Sequence, residues 1–208
     1  MVEELLDRGC RVLATDVQDP VPESMSGRAK LLYRRVDVRS DEDWAAALAW
    51  VEASWNGLDL LFNNAGVAAG GRIELTDMDQ WQWIVDSTSS GWSAGAAPCA
   101  DAQGATLRPR RQHRVGGRSR ASPRMSEYNT VKAGVVALSE TLTHELKPFG
   151  IAVSVVCPTF FRTNLSSSLR GNDPESRAAA ELIDGARVSA AEIAAEVLKG
   201  VDAGRPSS

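Results

Sequence analysis

"LDLLFNNAG", residues 58–66, sets four apolar side chains in five positions and then turns polar. An apolar run this short, closed by asparagines and a glycine, reads as a buried strand entering a tight turn. The segments on either side fit that reading. Before it, "SDEDWAAALAWVEASWNG" is a helix: Ser40 caps it, acids fill its first turn and Gly57 closes it. Further upstream, "MVEELLDRG" reads as two helical turns stopped by Gly9, and "CRVLATDV" and "AKLLYRRVDV" read as strands ending at Asp16 and Asp37. Downstream, "TDMDQWQWIVD" opens a helix with Thr76 as its cap. A long helix covers 125–148, closed by Pro148 and Gly150, and "IAVSVVCP" is a strand. The last helix carries a capping box, Ser189 with Glu192. Strands alternating with helices in this way imply an α/β fold, a parallel sheet covered on both faces.

The bulk composition excludes several classes. With 208 residues the chain is long enough for one domain with a real core, expected over 1–208. A net charge of −4 argues against nucleic acid or an anionic membrane as partner. No apolar run approaches the roughly 20 residues that span a bilayer. The N-terminus has acids where a signal peptide has a basic start. Cys10, Cys99 and Cys157 are odd in number and widely spaced, which fits neither a disulfide framework nor a zinc site. These features suit the cytoplasm, with no metal expected.

In parallel sheets the ligand lies beyond the carboxyl ends of the strands. The residues there are Asp16, Asp37, Asn63-Asn64-Ala65-Gly66 and Pro158-Thr159. An acid such as Asp16 can accept hydrogen bonds from ribose hydroxyls and repel a 2′-phosphate, which favours NAD over NADP. It could equally be a turn or cap aspartate. Asp37 could meet an adenine edge, or simply be the turn acid before the next helix. Asn64, Ala65 and Gly66 would let a cofactor approach the backbone, though four such residues make a good turn in any protein. Tyr128 and Lys132 are four apart on one helix and so share a face. A nearby ammonium favours the phenolate, which is expected to pull the Tyr128 pKa down and ready it for proton exchange.

Taken in order, "ATDV", "VDV", "LLFNNAGVA", "YNTVK", "HELKPFGIAVSVVCP" and Thr163 resemble the short-chain dehydrogenase/reductase family over roughly 1–85 and 122–200. The resemblance implies a Rossmann-type doubly wound sheet, a nicotinamide cofactor and an alcohol or carbonyl substrate. It makes Tyr128 the proton donor and acceptor, and Lys132 the residue that holds the nicotinamide ribose. Asp16, Asp37, Val38 and Asn64 would line the adenosine half, with Ala65, Gly66 and Pro158 along the cofactor. Phe161 and Thr163 would lie near its carboxamide and phosphates. A homo-oligomer built through the 125–148 helix is implied as well.

The chain departs from the family's pattern in three places. The first strand and its glycine-rich turn are missing, because Met1 falls inside the helix that follows them. Position 115, 13 residues before Tyr128, holds Val where the family has a catalytic serine. Near position 88 the family's asparagine is replaced within "DSTSSGWSAGAAP". The stretch "LRPRRQHRVGGRSR", 107–120, is rich in arginine and has no apolar period. A one-base shift of a GC-rich coding for 111–119 would yield Ala-Asn-Ile-Ala-Ser-Val-Ala-Gly, which resembles the missing strand and serine. Residues 87–121 are therefore expected to be irregular and frameshifted. The sheet is expected to lack its first, fifth and last strands, and the enzyme to be impaired or inactive. The rival reading is a non-catalytic chain whose 107–124 segment binds an acidic partner.

Overall fold

The computed structural model describes residues 1–19, 21–90, 111–115, 123–158, 161–163, 165–166, 169, 180–181 and 183–202. Helix α1 (Val2–Asp7) stops where Gly9 takes a φ of +80°, letting Gly9 N–H reach the Leu6 carbonyl and Cys10 N–H the Leu5 carbonyl. A residue with a Cβ adopts that left-handed geometry at a cost, which glycine avoids. Strands β1 (Val12–Asp16) and β2 (Leu31–Arg35) pair in parallel, Val12 opposite Leu31 and Asp16 opposite Arg35. Helix α2 (Asp41–Trp55) is capped by Ser40, whose hydroxyl accepts from Asp43 N–H. Its far end turns at Asn56 in the left-handed region, so Asn56 rather than the expected Gly57 closes it.

A second parallel sheet follows: β3 (Leu60–Asn63), β4 (Arg111–Val115) and β5 (Ala152–Val156), with β4 in the middle. Helix α3 (Met78–Val85) lies between β3 and β4 in sequence and runs into a π-helical turn, Asp86–Ser90. Its cap is Asp77, whose carboxylate accepts from Gln80 N–H at 2.8 Å. The expected cap, Thr76, instead turns its hydroxyl to the Arg72 carbonyl. Helix α4 (Ser126–Leu146) ends two residues before the expected boundary and continues as a single 3-10 turn over Lys147–Phe149. Helix α5 (Ala190–Asp202) starts at the expected capping box, Ser189 and Glu192 bonding each other reciprocally.

The expectation of an irregular 87–121 is corrected in two places. Residues 86–90 are helical, and 111–115 form an ordinary interior strand of the second sheet. The reason is that a ladder is made by backbone groups, which arginine and glutamine carry as fully as valine does. Of the 107–124 segment in the acidic-partner reading, only 111–115 and 123–124 lie among the described residues. Residues 91–110 and 116–122, with the rest of that stretch, lie outside the described residues. The expectation that the sheet lacks its fifth strand is corrected, because β4 fills that place between β3 and β5, while the described strands fall into two separate sheets. Among the described strands β1 pairs only with β2, and β3 only with β4.

Helices bridge that split. Leu5 of α1 packs on the core of Val12, Ala14 and Leu31. It also packs against Val197, Leu198 and Val201 of α5, which in turn touch Leu60 and Phe62 of β3 and Val156 of β5. On the second sheet, Leu142 and Leu146 of α4 bury against Ile151 and Val153. Among the described residues, no helix is long and apolar enough to cross a membrane. Leu198 is 1% exposed at the junction of both sheets. Leu198→Ala should therefore cost about 2–5 kcal/mol of stability, measured by urea unfolding.

Candidate active site

The first turn of α4 is pinned at its start. Gly71 N–H donates to the Arg124 carbonyl at 2.8 Å, and Met125, which forms a parallel bridge with Gly71, is buried. Glu127 is wholly buried just inside the helix, where its Oε1 accepts from Gln80 Nε2 of α3 at 2.6 Å. Thr76 Oγ1 lies 3.5 Å from the same oxygen, too long to add much. With this turn held, Tyr128 packs against the buried cluster of Ala69, Ile84 and Val131.

One turn later, Lys132 brings its Nζ to 5.4 Å from the centre of the Tyr128 ring. The expected effect of this pairing on Tyr128 is reversed. Burial pushes the Tyr128 phenol above its ordinary range, and burial lowers Lys132 from 10.5 to about 8. The ammonium faces the ring rather than the hydroxyl, and loss of water disfavours the charged form of each group. The shift at Lys132 corresponds to about 3 kcal/mol. An ammonium over an aromatic ring returns only about 0.5–2 kcal/mol, so desolvation wins.

Gly66 lies against the same lysine. A methyl added at Gly66 would stand 3.6 Å from Lys132 Nζ and 3.8 Å from Thr88 Oγ1. Thr88 belongs to the π-helical turn and is fully buried. The structure thus brings Gly66, Tyr128 and Lys132 together, and it adds Thr88. Asn64 and Ala65 are exposed on the approach to Gly66, while Asn63 is buried behind them.

Asp16 and Asp37 stand at the end of the other sheet. Asp16 is exposed, and its carboxylate accepts from Gln18 N–H at 3.1 Å. Asp37 is engaged on both oxygens by Arg39, at 2.9 and 2.6 Å, which holds its pKa down at about 2. Asp37 N–H donates to Asp43 Oδ2 at the turn into α2. Val38 is partly buried, and its carbonyl accepts from Trp44 Nε1. Pro158 is partly buried just past β5. Phe161 and Thr163 flank Arg162, whose N–H bonds the Val188 carbonyl in front of α5. Thr159 lies outside the described residues.

Thr88, Glu127 and Gln80 escaped the sequence reading. Thr88 sat in a stretch taken as scrambled. Glu127 is an acid in the first turn of α4 that the packing of α3 on α4 buries.

A family model described as enoyl-(acyl carrier protein) reductase matches residues 1–199. The trans-4-hydroxycyclohexanecarboxylate dehydrogenase of Sinomonas cyclohexanicum is 28% identical over 196 residues, covering 88% of this chain and 73% of that one. The inactive 2-(S)-hydroxypropyl-CoM dehydrogenase 2 of Xanthobacter autotrophicus is 32% identical over 144 residues, covering 67% of this chain and 61% of that one. The chain therefore spans 73% and 61% of the length of these two relatives. A short-chain dehydrogenase/reductase from Burkholderia phymatum, solved in complex with NAD, superposes with a TM-score of 0.84 at 22% identity. That match covers 99% of this chain and 82% of the solved one.

Two measurements test the supports of this region. Asp37 should titrate near pH 2 by carboxyl NMR and move toward 3.8 in Arg39→Ala. Because its folded pKa is depressed, its stabilising contribution is present above about 3.8 and disappears as the pH falls toward 2. Gln80→Ala, which strips the Glu127 carboxylate of its short hydrogen bond, should cost about 1–3 kcal/mol in chemical denaturation.

Proposed function

The chain belongs to the short-chain dehydrogenase/reductase family, and from that premise we propose that it exchanges hydride between NAD and an alcohol or carbonyl substrate. The observation that carries this reading is the Tyr128–Lys132 pair, one helical turn apart and set beside the bare Cα of Gly66. When bound, NAD supplies the hydride acceptor. The chain's own residues supply a place for it and the proton.

The residues present fit such a cofactor. The exposed Asp16 carboxylate, with one backbone donor among the described residues, keeps acceptor capacity for ribose hydroxyls. The same negative charge opposes a 2′-phosphate, which supports NAD over NADP. Asn64 and Ala65 are open to solvent, and Gly66 puts no side chain between the backbone and Lys132. Pro158, Phe161 and Thr163 follow β5 at the carboxyl end of the second sheet, where a ligand of a parallel sheet would pass.

Tyr128, ordinarily protonated below about 10 and raised further by burial, is protonated at neutral pH. In the reducing direction it donates that proton to the substrate oxygen, and the Lys132 ammonium stabilises the phenolate left behind. In the oxidising direction the phenolate takes the alcohol proton back. At position 115, Val offers no hydroxyl to polarise the substrate oxygen. Losing one such donor typically slows turnover by about 10²–10³. We therefore propose an impaired dehydrogenase acting on an alcohol or carbonyl substrate.

NADH fluorescence should show saturable binding, and its absence would sink the reading. Affinity should weaken as the pH rises through about 8, where Lys132 loses its charge, and Lys132→Ala should abolish that dependence. Tyr128→Phe should keep cofactor binding and lose about 10²–10⁴ in turnover.

A further inference from the structure

Between β2 and α2 the chain turns through Asp37 and Arg39, which close on each other. Arg39 donates three times to the one carboxylate. Its backbone N–H and its Nε reach Asp37 Oδ1 at 3.0 and 2.9 Å, and its Nη2 reaches Oδ2 at 2.6 Å. A carboxylate carries about four lone-pair sites, so about one stays open among the described residues. That site is on Oδ2, beside a guanidinium whose own N–H groups oppose any further donor.

The guanidinium is also the outer member of the pair. The Arg39 side chain is 49% exposed against 20% for Asp37, so an incoming group meets the cation before the carboxylate. A guanidinium carries about five N–H groups in a planar fork. With Nε and one on Nη2 spent on Asp37, the rest remain for a ligand. The two-point pairing fixes the plane in which they lie. Arg35 acts on the same carboxylate, so the surroundings of Asp37 are positive as well. Asp86 acts on Arg39 only from a distance, after Asp37.

Purines differ at the edge that such a fork meets. Adenine sets an amino donor at ring position 6, whereas a 6-oxopurine such as guanine sets a carbonyl acceptor there, next to N7. A guanidinium pairs with that carbonyl and N7 together and has no acceptor for an amino group. We infer that Arg39 is the specificity-determining residue for the base: it takes up the Asp37 carboxylate and reads position 6 with donors, so the site prefers a 6-oxopurine to adenine. A free Asp37 carboxylate would make the opposite choice. The inference rests on the reading of this end of the first sheet as the place of a nucleotide cofactor. An NAD bound there is held by its ribose at Asp16 and not through its 6-amino group.

The test compares inosine and adenosine 5′-monophosphate, which share ribose and phosphate and differ at position 6 of the base. Each is titrated into the full chain at pH 7 and followed by NMR at the Val38 amide. The wild type should bind the inosine nucleotide about fivefold tighter, the low end for such a pair because the fork is half exposed. Arg39→Ala removes the fork and frees Asp37, so the order should reverse. A merely structural Arg39 would move both affinities together and leave their ratio in place. Equal affinities or an adenosine preference in the wild type overturns the proposal. An unchanged ratio in Arg39→Ala, or a Val38 amide that answers to neither nucleotide, overturns it too. If Arg39→Ala loses its helical circular dichroism, Arg39→Gln decides. A glutamine amide pairs with the amino group and N7 of adenine, so this variant should prefer the adenosine nucleotide. An unchanged ratio in Arg39→Gln then overturns the proposal. The mononucleotides carry no nicotinamide, so the two claims fail separately. A chain that binds the inosine nucleotide but no NADH loses the dehydrogenase reading and keeps this one, and NADH binding with an adenosine preference does the reverse.

Discussion

The parallel ladder through β4 is the constraint on which the candidate site depends. Tyr128 and Lys132 ride on α4, and α4 is seated on β5 by Leu142, Leu146, Ile151 and Val153. Gly66 leaves the end of β3. Only β4, paired with both, fixes how far apart those two strands stand. Two successive strand spacings place them about 9.5 Å apart. The ladder is made by backbone amides, so it tolerates a strand whose sequence, "RQHRV", has no apolar alternation.

Desolvation organises the chemistry inside that frame. The Tyr128 phenol, the Lys132 ammonium, the Thr88 hydroxyl and the Glu127 carboxylate all lie within a few turns of α3 and α4. Glu127 is answered on one oxygen by Gln80, and its Oε2 has no partner among the described residues. Among the described residues no carboxylate shifts Lys132, so burial lowers it to about 8. A lysine at that point is charged under ordinary conditions yet easily moved by one hydrogen bond. Asp37 shows the opposite regime. Nearer to solvent and clamped by Arg39, it is held charged by a partner, not neutralised by burial.

Much of this was legible in the chain itself. Ser40 and the Ser189–Glu192 box announce two helix starts, because a cap is a local hydrogen bond that spacing alone reveals. Cap choice failed at Thr76, where the adjacent Asp77 competes and its carboxylate makes the better acceptor for Gln80 N–H. Periodicity failed at 111–115, since it reports which faces are buried and says nothing of which backbones lie alongside. Asp37 could be read two ways from its position, and its bond to the Arg39 side chain two residues on was visible in neither.

By itself the sequence determined the alternation of strands and helices, the polar ends that gather on one side of the sheet, and the pairing of Tyr128 with Lys132. Each of these follows from spacing along a single stretch of chain. Only the tertiary structure decided that an arginine-rich segment becomes the central strand of the second sheet. It also decided that the tyrosine is made a weaker acid and not a stronger one, and that Thr88 and Lys132 both come within 4 Å of where a Gly66 side chain would begin. Ladder hydrogen bonds and the loss of water depend on what a residue is packed against, and those neighbours come from distant parts of the chain.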